Sequence, residues 1–156
     1  MKTLNLPEVL PKVVVVKVRL TKEPFSVDEA IKLLRVPESG AYVVFLGQVR
    51  NESHEKKVHK LIYEAYPEMA EAEMARIREE ALSRFPILDM LIWHRYGELP
   101  VGEDTILIVA SAKHRKEAFE ACSWAIDEVK KRVPVWKREV TDEGTFWIEG
   151  DKQVPE

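Results

Sequence analysis

The chain has 156 residues, enough for one globular domain with a real core, and 46% of them are hydrophobic, which excludes a disordered chain. Its 24 Lys+Arg against 27 Asp+Glu leave a net charge of −3, so it lacks the basic surface that general binding to phosphate backbones requires. The single cysteine, Cys122, excludes an intramolecular disulfide and a cysteine-rich zinc site. The apolar run 13–16 is too short to span a bilayer. Pro7 and Pro11 interrupt the N-terminal segment where a secretory apolar region would be continuous, so the expectation is a soluble, cytoplasmic protein.

Residues 12–20 alternate and are rich in valine, the pattern of a strand. Ser26, with Glu29 three residues later, is a capping box that starts a short helix through "SVDEAIKLLR". Gly40 opens "GAYVVFLGQVR", a strand with a buried centre, and the mixed-charge "NESHEKK" after it reads as an exposed loop. Residues 58–66 form the next strand, expected to pair antiparallel with the one before. Pro67 suits the first turn of a helix, along which Met74, Ile77, Ala81, Leu82 and Phe85 recur at helical spacing until Pro86 ends it.

Residues 87–99 read as a strand, "PVGED" as a turn and 105–112 as another strand. A third helix is predicted over about 114–133, with Ala118, Cys122, Ala125, Ile126 and Val129 facing inward. Residues 135–140 and 145–149 form a hairpin around "TDEG", and the tail "GDKQVPE" is expected to fray. Several strand pairs are too closely linked for parallel crossovers. The predicted fold is therefore α+β, one domain, mainly antiparallel, with three helices.

Three basic clusters stand at element ends. Arg50 leaves a buried strand in "GQVRN"; His114 and Arg115 open a helix in "SAKHRKEAF"; and "KKRVPVWKRE" gathers Lys130, Lys131 and Arg132 before Pro134 and Lys137 and Arg138 after it. A helix N-terminus offers free N–H groups and a positive dipole end, so cations added there make sense around an anion. Each cluster also has a plainer reading. Lys130 to Arg132 complement the dipole at a helix C-terminus, Arg50 is a strand-end surface charge, and His114 and Arg115 are a solvated first turn. Strand alternation puts Trp136 and Arg138 on one face and Lys137 and Glu139 on the other. Cys122 reads as a core residue, His94 as a structural hydrogen bonder, and His54 with His59 as an unconvincing metal pair. No Gly-rich phosphate loop, GxSxG or HExxH is present.

Taken in order and spacing, "GAYVVFLGQVRN", "YEAYPEMAE", "WHRYGELPVGED", "SAKHRKEAFEA" and "DEVKKRVPVWKRE" resemble the MoaE family, the large, catalytic subunits of molybdopterin synthase. The resemblance covers 24–149, leaving 1–23 as an N-terminal extension with a strand and 150–156 as a flexible tail. It implies an α/β-hammerhead-type α+β fold and a sulfurtransferase of molybdenum cofactor biosynthesis. Such an enzyme places two sulfurs on cyclic pyranopterin monophosphate (precursor Z), making the molybdopterin dithiolene, without metal or redox cofactor. The implied partner is a small ubiquitin-like subunit ending in a Gly-Gly thiocarboxylate, bound to a homodimer of the large chain in a heterotetramer.

Substrate-contacting positions implied by the resemblance are Gln48, Val49, Arg50, His114, Arg115, Lys130, Lys137, Arg138 and Glu139, with Lys130 and Lys137 catalytic. Gln48 departs from the lysine common in relatives and removes one charge from the phosphate contact. On this reading Arg50, His114 and Arg115 grip the phosphate, with residues from both protomers. Lys130 and Lys137 flank the sulfur-accepting carbons, and the partner's tail threads to Lys130 as an extended peptide. The competing expectations are a non-catalytic module that binds a phosphorylated ligand or RNA, and an inactive scaffold.

Overall fold

The computed structural model describes residues 17–156, so the predicted strand residues 12–16 lie outside the described part. Among the described residues a four-stranded sheet has the order β1 (Val18–Thr21), β5 (Asp89–Arg95), β7 (Asp104–Ala112), β2 (Ala41–Gln48). Only the β1–β5 pair in it is parallel. The helices α2 (Pro67–Arg84) and α3 (Arg115–Arg132) cover one face, and α1 (Val27–Leu33) packs on the other. Both faces of β5 and β7 are thus buried, which is why these strands read as nearly continuous apolar runs. Met90, Ile92, Ile108 and Ala110 meet the paired helices, while Leu91, Trp93, Leu107 and Val109 meet Ala30 and Leu34 beside α1. The Ser26 hydroxyl caps α1 by accepting from the Glu29 N–H at 3.2 Å, as the capping box predicts.

A second, antiparallel sheet runs β10 (Lys152–Pro155), β9 (Gly144–Glu149), β8 (Val135–Thr141), β4 (Lys56–Ala65), β3 (Glu52–Ser53), with β6 (Gly97–Pro100) also on β4. Among the described residues, the three helices between 27 and 132 and the mainly antiparallel α+β architecture agree with the sequence reading.

Three details correct it. First, β4 does not pair with β2; it pairs with β3, β6 and β8, and β2 pairs with β7. The cause lies in "NESHEKK", which is no loop but a tight hairpin. His54 and Glu55 both take positive φ, 51° and 63°, and turn the chain back onto itself. His54 Nε2 donates to the Asp151 carbonyl at 2.7 Å, leaving Nδ1 to accept from the Ser53 hydroxyl at 2.9 Å. Second, the expected strand 87–99 breaks at Gly97, whose φ of +99° carries the chain from the first sheet to the second. Third, the tail expected to fray is β10, paired in register with β9 from Lys152 opposite Glu149. Gly150 and Asp151 form the two-residue connection, a Gly-Asp hairpin signal.

Candidate active site

The corner where β2 hands over from the first sheet to the second is built by close approach. A Cβ on Gly47 would lie 2.8 Å from Thr105 Oγ1 and 2.9 Å from Ile106 Cγ2, so only glycine lets β2 lie this near β7. The register shifts between Gly47 and Gln48, a bulge that re-aims the residues after it. Val49 is buried with Val58, Leu61 and Leu99; its N–H donates to the Glu103 carbonyl and its carbonyl accepts from the Gly102 N–H, both at 2.9 Å. Val49 therefore has neither side chain nor backbone N–H left for a ligand, and its part is to anchor the residue that follows. Gln48 and Arg50 are exposed on either side of it and line a cleft of about 390 Å³ with Asn51, Glu52 and Val101.

The basic side chains of "KKRVPVWKRE" separate once their partners are counted. Arg132 binds Glu80 through both Nη atoms, at 2.9 and 2.7 Å, reaches Glu73 through Nε at 2.7 Å, and also pairs with Glu128, so it bolts α3 to α2. The Glu80 hydrogen bonds, with those of Glu73 and Glu128, hold this guanidinium protonated. Lys131 is exposed and pairs with Glu128 at 3.3 Å. Arg138 pairs with Glu64 at 2.9 Å and with Glu156, and its guanidinium lies over the Trp147 ring. Among the described residues Lys130, Lys137 and Arg50 have no such carboxylate. Lack of a carboxylate does not by itself set them apart, since among the described residues Arg115, Lys116 and other surface cations are unpaired as well.

Lys130, Lys137 and Arg50 also lie together. The electrostatic neighbours of Lys137 are Lys130 from the end of α3, Arg50 from the end of β2, and Glu139 from its own strand. Burial is the main cause that lowers the Lys137 pKa from 10.5; Lys130 and Arg50 push the same way and Glu139 opposes them. Below the folded-state pKa the charged lysine costs stability in full, and that cost is relieved as pH rises from there toward the unfolded value. Lys137→Met is therefore expected to raise the unfolding free energy at pH 7 by about 1 kcal/mol in urea titrations. A loss of stability would contradict the view that this ammonium is held against the interest of the fold.

The floor beneath Lys137 is polar and neutral. Tyr63, opposite Lys137 in the β4–β8 ladder, meets the His94 ring edge-on at 5.3 Å between centroids. Burial raises the Tyr63 pKa against the pull of the Thr105 hydroxyl, so the phenol keeps its proton. His94 Nδ1 donates to the Arg95 carbonyl at 2.7 Å, in line with its expected structural role. Burial lowers its pKa from 6.5 to about 4, with a small push from Lys137. The unfolded chain then takes up a proton that the folded one refuses, so stability drops as pH falls from 6.5 toward 4. His94 accounts for roughly 3 kcal/mol of that decline. Urea titrations across this window should show the slope flatten in His94→Gln.

Two predicted site residues lie elsewhere in the chain's own fold. Ala41 pairs with Ala112 and Gln48 with Asp104, so His114 and Arg115 stand at the opposite end of this ladder from Arg50. The 18-residue α3 runs back from Arg115 toward Lys130, a distance of about 22 Å. His114 and Arg115 are exposed and, among the described residues, unpaired. Arg138 faces away from Lys137 along the strand, and its two Nη atoms pair with Glu64 and Glu156 while, among the described residues, Nε has no partner. Glu139 shares the Lys137 face and is buried, with Oε1 accepting from Gln153 Nε2 at 2.8 Å.

The sequence reading missed Tyr63, His94 and Gln153 as neighbours of the site. Strand alternation marks Tyr63 as facing Lys137 only once the β4–β8 register is known, and Gln153 lay in a segment read as unstructured. A larger surface cleft of about 620 Å³ between α2 and α3 is lined by Glu80, Asp127 and Glu128 and by Arg84, Lys130 and Lys131, a mixed set with no excess of positive charge. Cys122 is a core residue: buried, with its thiol toward the Ile108 carbonyl at 3.8 Å and its pKa pushed up to about 11 by burial.

Residues 20–132 match the family model described as MoaE protein. The Molybdopterin synthase catalytic subunit of Pyrococcus abyssi is 68% identical over 141 residues, covering 89% of this chain and 95% of that protein. The crystal structure of Molybdopterin Synthase from Staphylococcus aureus superposes with a TM-score of 0.81 at 34% identity, covering 85% of this chain and 97% of that one. A complex of subunits 1 and 2 of Molybdopterin-converting factor from Helicobacter pylori shares the fold at TM-score 0.68 and 20% identity, over 85% of this chain and 90% of that one.

Proposed function

The chain belongs to the MoaE protein family, and on that premise we propose that it acts as the catalytic subunit of a molybdopterin synthase in molybdenum cofactor biosynthesis. Its reaction is a sulfur transfer: two sulfurs pass from the thiocarboxylated C-terminus of a small partner subunit to precursor Z, giving the dithiolene. The observation that carries the reading is the group of unpaired cations, Arg50, Lys130 and Lys137, gathered at one corner of an acidic protein.

Their chemistry suits the task. Arg50 offers a planar fork to a phosphate, and Gln48 beside it adds an uncharged donor. Attack by a thiocarboxylate passes through tetrahedral anions, which the Lys130 ammonium stabilises where charge develops. Lys137, with its lowered pKa, is suited to give and take protons nearer neutrality than an ordinary lysine. The distance between Arg50 and His114 within one chain supports a site completed by a second copy, whose His114 and Arg115 supply the remaining phosphate contacts. A partner subunit is supported by the Helicobacter pylori complex, in which two subunits of Molybdopterin-converting factor are bound together.

The test is reconstitution of the full chain with thiocarboxylated partner and precursor Z. Dithiolene product is expected. Retention of the pterin without any product would leave only a phosphate-binding module.

A further inference from the structure

Strand β10 joins the second sheet with Gln153 opposite Ile148, Ile148 is opposite Lys137, and Lys137 is opposite Tyr63. One row of side chains therefore crosses four strands on the face that carries the site. Glu139, two residues along β8, shares that face. The residue is only 6% exposed, and its carboxylate is bound by Gln153 Nε2 at 2.8 Å. The groups facing Lys137 are Lys130 from α3, Arg50 after β2, His94 from β5, Tyr63 from β4 and Glu139 from β8. Glu139 is the one anion among them, and it makes no ion pair with Lys137.

We propose that Gln153 is a positioning residue: its carboxamide holds the Glu139 carboxylate back from Lys137, so that the lysine stays unpaired for substrate. The C-terminal strand is then a working part of the site, and the inference rests on the reading of Lys137 given above. Without the carboxamide, Glu139 loses its hydrogen-bond partner in a desolvated place, and Lys137 is the cation on the same face whose charge it already feels. An ion pair there raises the lysine pKa and withdraws both its charge from an incoming anion and its proton from exchange.

The experiment is a pH titration of the Lys137 side chain by NMR in the full chain labelled at lysine, with the signal assigned by Lys137→Arg. Gln153→Met keeps the length and apolar body of the residue and removes the donor. The Lys137 midpoint is expected to rise by about one pH unit or more. Adding Glu139→Gln to that variant is expected to cancel the rise. Loss of a merely structural contact would lower the melting temperature and leave the midpoint in place, so an unmoved or lowered midpoint in Gln153→Met overturns the proposal. Should Gln153→Met unpair β10, Glu139→Gln in the native background decides: it deletes the anion and must lower the midpoint, and a rise overturns the proposal. The readout needs no turnover. A shifted midpoint in Gln153→Met, with no dithiolene made by the native chain, would sink the sulfur-transfer reading alone; normal product from the native chain, with no shift in Gln153→Met, would sink the role of Gln153 alone.

Discussion

Lys130→Ala is expected to slow sulfur transfer by about 100–1000-fold in single-turnover reactions, the range for removing one preorganised stabiliser of a developing anion. Lys130 is exposed and, among the described residues, makes no ion pair, so its removal should change the unfolding free energy by less than about 0.5 kcal/mol. That separates a chemical loss from a folding loss. The adjacent Lys131 is the control. It has the same charge on the same helix end, but it is paired with Glu128, and Lys131→Ala should transfer sulfur at close to the native rate. Equal effects at the two positions would mean that the helix end contributes only a diffuse positive field. Full activity in Lys130→Ala would remove this lysine from the mechanism.

The second large effect concerns which chain supplies which residue. If one site takes Arg50, Lys130 and Lys137 from one copy and His114 and Arg115 from another, Lys130→Ala and Arg115→Ala chains are each nearly inactive alone. After the two are unfolded together and refolded, hybrid dimers hold one site with both defects and one site with neither. Random mixing then restores about a quarter of the native activity. A site built within one chain gives no recovery, because every site in the mixture carries a defect. The geometry leads to the first outcome, since α3 separates its own Arg115 from its own Lys130 by about 22 Å.

The helices were legible because their punctuation is local: the Ser26 cap, Pro67 at a helix start, Pro86 after a helix end. The strands were found, but their partners were not. Whether β4 pairs with β2 depends on a turn at His54 and Glu55 that lacks the usual Asn-Gly signal, and its left-handed backbone is supported by contacts to Ser53 and Asp151. The clusters Arg50, Lys130 and Lys137 were visible as charge at element ends. Their distinction from Arg132 and Arg138 was not, since it depends on carboxylates far away in sequence, Glu73 and Glu80 for one and Glu64 and Glu156 for the other. Alternation alone did separate Lys137 from Arg138. It had no means of showing that a strand at 152–155 brings Gln153 to Glu139.

The central claim is that the corner of Arg50, Lys130 and Lys137 receives the substrate. A crystal structure of the full chain with precursor Z bound tests it most directly. The phosphate is expected against Arg50, with His114 and Arg115 of a second copy closing on it and Lys130 and Lys137 beside the carbons that accept sulfur. A phosphate seated in the cleft between α2 and α3, away from Arg50 and Lys137, or anywhere out of reach of all three cations, would contradict the account.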